Sequence, residues 1–64
     1  MNNEMKLIDE ITKRLTAKKD EYQIKAKAAR TRFNYKDAEM YEGWSSTIAE
    51  ALIIVHEVQM ENMK

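Results

Sequence analysis

One run of apolar residues sets the rhythm of this chain. Tyr41, Trp44, Ile48, Ala51, Val55 and Val58 follow one another at spacings of three, four, three, four and three. That spacing places all six on one face of an α-helix. The N-terminal half carries a second stripe of Ile8, Ile11, Leu15, Tyr22, Ala26, Ala29 and Phe33, at spacings of three, four, seven, four, three and four. The gap of seven falls at Lys18 and Lys19, whose aliphatic stems can cover apolar surface while the ammonium groups reach water. The segment 26–30 is rich in good helix formers, so no break is expected there. The pattern predicts one helix over 3–33, a turn at 34–35 and a second helix over 36–61.

Local signals support those boundaries. Asn2 or Asn3 is expected to cap the first helix, with Glu4 in the first turn where the helix dipole favours an acid. Asn34 is expected to take the left-handed conformation that ends the helix, because no glycine lies nearby. Tyr35 is expected to close over the turn, and Asp37 and Glu39 suit the positive end of the second helix. Gly43 lies within that helix and costs about 1 kcal/mol relative to alanine. Close helix contact beside Trp44 is the expected reason for it. Folding the chain back at Asn34-Tyr35 brings Ala29 opposite Tyr41, Ala26 opposite Trp44, Tyr22 opposite Ile48 and Leu15 opposite Val55. Small residues meet large ones near the turn, as interdigitated packing requires. The expected fold is therefore all-α, an antiparallel two-helix hairpin with Trp44 in its core.

The segments Asn34-Tyr35-Lys36-Asp37-Ala38, Tyr41-Glu42-Gly43-Trp44 and Ile48-Ala49-Glu50-Ala51-Leu52 resemble the turn and second helix of small helical-hairpin proteins encoded by phages and prophages. The resemblance implies a small accessory or regulatory protein and supplies no functional residues. The chain also has the size of the small sporulation phosphatases, but it lacks their Ser-Gln-Glu-Leu-Asp signature.

Composition narrows the picture. The 64 residues include one glycine, no proline and no cysteine, so disulfides and thiolate metal sites are excluded. No apolar run approaches the roughly 18 residues of a membrane span. The start of the chain shows no basic region followed by an apolar one, so no signal peptide is expected and the cytoplasm is the expected location. Two helices of this length packed only on each other seldom bury enough apolar surface to offset the conformational entropy of ordering them. A homo-oligomer, most simply a dimer forming a four-helix bundle, is the expected solution.

No residue pattern points to catalysis. His56 is the only histidine, and the residues three and four positions away are Leu52, Ile53, Gln59 and Met60, so no metal pair forms within the helix. Ser45, Ser46 and Thr47 have no nearby base. Neither a phosphate loop nor a paired-carboxylate site is present, and no enzyme activity, metal or cofactor is expected.

Charge is more informative in its distribution than in its total. Residues 13–36 hold nine Lys/Arg and two acids, residues 37–64 hold six acids and Lys64, and residues 1–12 hold three acids and Lys6. The molecule is neutral yet strongly polarised. The plain reading is that the basic helix and the acidic helix neutralise each other. A sharper reading is a basic binding face of Lys18, Lys25, Lys27, Arg30, Arg32 and Lys36 with Phe33, Tyr35 and Tyr41 close by, a combination that nucleic-acid surfaces use. Met5, Leu7, Ile53, Ile54 and Met60 lie outside the core stripes near the open end of the hairpin, and apolar surface of that kind marks an interface. The expected function is a non-catalytic protein-interaction or regulatory protein, self-associating and binding another protein through that surface. Nucleic-acid binding through the basic helix is the alternative.

Overall fold

The computed structural model describes residues 3–63. Helix α1 spans Asn3–Thr31 and helix α2 spans Tyr35–Asn62, with no strand among the described residues. They lie antiparallel against each other in a rod with extents of 49 × 17 × 10 Å. The molecule is one helix thick, so both broad sides of the layer face solvent. Asn2, one of the two expected caps of α1, lies outside the described residues, and Asn3 is already helical.

The turn differs from expectation in its division of labour. The left-handed residue is Phe33, at φ 61°, and not Asn34. The Asn34 N–H donates to the Ala29 carbonyl (2.8 Å) and the Phe33 N–H to the Arg30 carbonyl (2.9 Å). These are the two bonds of a Schellman closure, which satisfies the last carbonyls of α1. Asn34 instead caps α2: its Oδ1 accepts from the Asp37 N–H (3.3 Å), and its Nδ2 donates to the Asp37 carboxylate (2.8 Å). Only a short polar side chain can satisfy the first donors of α2, and Phe33 has none, so the asparagine takes the capping position. The phenylalanine absorbs the left-handed cost. Helix α1 thus stops two residues earlier than predicted, and α2 starts one residue earlier, at Tyr35. The Phe33 and Tyr35 rings meet edge to face over the turn at 6.4 Å.

The inward stripes keep Ile8, Leu15, Tyr22, Ala26, Ala29, Tyr41, Ile48 and Val55 of the predicted ones and lose Ile11, Phe33, Trp44 and Val58. On α1 one row of covered positions runs through Met5, Ile8, Thr12, Leu15, Lys19, Tyr22, Ala26 and Ala29, and on α2 one runs through Ala38, Tyr41, Ser45, Ile48, Leu52, Val55 and Gln59, while Thr16, Glu21, Asp37, Ala49 and Ala51 are half-covered beside these rows. Both sets alternate spacings of three and four without a gap, the a and d positions of a seven-residue repeat. Tyr41, Ile48 and Val55 are where the sequence pattern puts them. Trp44 and Val58 are not: each is more than two-fifths exposed, and Ser45 and Gln59 face the seam in their place. On α1, Thr12 replaces Ile11, Lys19 fills the gap and Phe33 points to solvent. The cause is volume. Among the described residues Ala26, Ala29, Ala38 and Ser45 are the buried ones, and they bring the backbones close near the turn. An indole has no room between helices packed on alanine and serine. Trp44 therefore lies on the flank, against the rings of Tyr22 (5.3 Å) and Tyr41 (5.7 Å). Among the described residues no large side chain is fully buried.

Candidate interaction surfaces

The repeat sorts most of the remaining apolar residues onto two sides of the layer, with Ile24 on the outermost line of α1. In an antiparallel pair, g positions flank the seam on one side and e positions on the other. Leu7, Ile11, Met40, Trp44, Ile54 and Val58 occupy c and g positions and share one broad side. All six are large apolar residues with at least 39% of their surface exposed. On that side Tyr22, Trp44, Thr47 and Ile48 line an open depression of about 360 Å³. Ile53 and Met60 are also exposed but occupy b positions, toward the opposite side. Met5 is half-buried in the seam. The five residues expected to form one patch at the open end are thus divided: Leu7 and Ile54 on one side, Ile53 and Met60 toward the other, and Met5 between the helices.

The basic residues are divided as well. Arg30 donates from two nitrogens to the Glu42 carboxylate, at 2.9 and 2.6 Å, tying the two helices together on the e side. This hydrogen-bonded pairing holds the Glu42 carboxyl below its usual pKa, outweighing the opposing effect of partial dehydration, and it raises that of Arg30. Lys18 donates to Glu21 at 3.1 Å, which lowers the glutamate pKa and raises that of the lysine. Lys25 reaches the same carboxylate at 3.6 Å. The two ammonium groups also sit over the rings of Tyr22 (5.5 Å) and Tyr41 (5.9 Å). Lys27, Arg32 and Lys36 make no ion pair among the described residues. The expected continuous basic face therefore becomes three engaged cations and three solvated ones grouped toward the turn. Beside Arg30 and Glu42, a shallow groove of about 300 Å³ runs past Ala26 and Ser45.

Sequence periodicity gave no signal for the Arg30–Glu42 pair, because its members are twelve residues apart on different helices. The register counted from the turn, with Ala29 opposite Tyr41, does place Arg30 and Glu42 beside that pair.

Among the described residues no three His, Cys, Asp or Glu side chains are grouped to hold a metal ion. His56, Ser46 and Thr47 are exposed, and Thr47 donates its hydroxyl to the Gly43 carbonyl at 3.0 Å. Ser45 is buried, with its hydroxyl 3.5 Å from the Lys19 carbonyl across the seam. Among the described residues no helix is long and apolar enough to cross a membrane. Comparison of the chain with protein families, curated proteins and solved structures gives no match.

Proposed function

We propose that the protein is a non-catalytic interaction protein that self-associates, most simply as a four-helix bundle of two hairpins, and acts by binding another protein. The observation that carries this reading is surplus surface. The hairpin exposes 5245 Å². A compact monomer of 7.6 kDa exposes about 4,300 Å². The excess, roughly 900 Å², is close to the 800 Å² that each partner contributes to a standard protein interface. Leu7, Ile11, Trp44 and Ile54 are among the large apolar side chains left exposed, and a second hairpin would cover them. An accessory protein of a phage or prophage, as the resemblance of residues 34–52 implies, would act in this manner, by contact alone. Nucleic-acid binding has less support, because Lys18, Lys25 and Arg30 already engage carboxylates.

Sedimentation equilibrium across a wide concentration range tests the proposal. The expected result is a concentration-dependent dimer or small oligomer. Ile54→Lys, which puts a charge into the apolar side, is expected to weaken it at least tenfold while the far-UV circular dichroism stays helical. A folded monomer at every concentration refutes the reading.

A further inference from the structure

We propose that the Leu7–Ile54 side of one hairpin packs on the same side of a second copy turned end over end, so that each turn lies at the partner's open end. This orientation rests on the self-association proposed above.

Charge is the first argument. Cut across its middle, the rod has two unlike halves. The turn half, residues 13–49, holds nine Lys/Arg and five Asp/Glu, a net of +4. The open half, residues 3–12 and 50–63, holds one lysine and six Asp/Glu, a net of −5. Side by side in parallel, two copies set +4 against +4 and −5 against −5. End over end, each positive half meets a negative one. The Arg30–Glu42 bridge does not remove this polarity, because both its members lie in the turn half.

Register is the second argument. At about 1.5 Å per helical residue, Trp44 lies roughly 15 Å from the turn, and Ile54 lies roughly 12 Å from the open end. An end-over-end copy therefore brings Ile54 of one protomer over the Tyr22–Trp44–Ile48 depression of the other, twice by symmetry. A parallel copy sets Trp44 on Trp44 and leaves both depressions without a knob to fill them. The surplus surface is the third argument, since it matches one standard interface and the c and g side is where large apolar side chains are most numerous. The arrangement leaves Ile53 and Met60 outside the bundle, available to a different protein.

The test uses the absence of native cysteine. Lys36 is exposed, at the turn end, on the outermost line of α2. A nitroxide on Lys36→Cys reports one distance between protomers. In the end-over-end dimer each label lies roughly 19 Å from the midpoint of the rod, so a separation above about 30 Å is expected. A separation below that value means parallel packing and overturns the orientation. Sedimentation of the same sample distinguishes the other failure: a monomer refutes self-association itself, and this proposal with it. The unlabelled protein provides a second readout. Raising the salt from about 50 to about 500 mM is expected to increase the dimer dissociation constant several-fold, because screening removes attraction between unlike halves. A constant that stays level or falls overturns the proposal.

Discussion

Gly43 is the residue with the least reason to be what it is. A Cβ built at this position meets no atom within 4 Å. The close helix contact expected beside Trp44 is absent, because residue 43 is on the outermost line of α2 while Ser45 is the small residue at the seam. Nothing in the hairpin explains the glycine. Gly43→Ala is therefore expected to stabilise the protein by about 1 kcal/mol, the helix-propensity difference alone, read as a shift in the midpoint of chemical denaturation. A loss of stability would mean that assembly brings another chain against this line. Thr12 is a related case at the seam, where its hydroxyl is buried without a hydrogen-bond partner.

At the scale of the elements, the turn decides where two long helices end. Among the described residues Phe33 is the one non-glycine in the left-handed conformation, and Asn34, next to it, caps α2. Phe33 is 77% exposed, so its ring contributes little beyond the contact with Tyr35. Asn34 carries more. Its side chain both accepts from the Asp37 backbone and donates to the Asp37 carboxylate, a reciprocal arrangement like a capping box. Asn34→Ala removes both bonds and is expected to cost about 1 kcal/mol, measured by thermal unfolding. Asn34→Ser, which keeps an acceptor, is expected to recover most of it. Equal losses in the two variants would show that the cap contributes nothing.

On the scale of the whole molecule, the helices are joined near the turn by small-residue packing, by the Tyr22–Tyr41–Trp44 ring cluster and by the Arg30–Glu42 bridge. The bridge makes stability depend on pH in a definite direction. The Glu42 carboxyl is held below its usual value in the folded state by the hydrogen bond from Arg30. The stabilisation is fully present above the ordinary carboxylate pKa of about 4.3 and is lost as pH falls through the lower folded value. The melting temperature is thus expected to drop on acidification below about pH 4.5. Glu42→Gln is expected to make that drop shallower. An identical pH profile in the variant would remove the bridge from the account. Both groups are exposed, so the contribution is a modest one and weakens with salt.

Much of this fold was legible in the sequence because it follows from local chemistry. Two long apolar periodicities, separated by a single cluster of turn-forming residues in a chain with one glycine and no proline, leave little besides a helical hairpin. The same periodicity located Tyr41, Ile48 and Val55 at the seam. It failed at the positions between them. A count of apolar residues favours Trp44 over Ser45 and Ile11 over Thr12, since the larger and more apolar residue of each pair matches the stripe. The folded chain chooses by volume at the point of closest approach, where Ala26, Ala29 and Ala38 leave room for a serine and none for an indole. The turn shows the same limit. Asn34 suits the left-handed position by propensity, but the donors of α2 need a cap, and that competition exists only once both helices are in place. Ile53 and Ile54 are neighbours in the chain, yet a 100° step across the outermost line of α2 separates them and turns them toward opposite sides of the layer. Which of them shares a side with Leu7 depends on the rotation of α2 about its own axis, and that rotation is set by contact with α1.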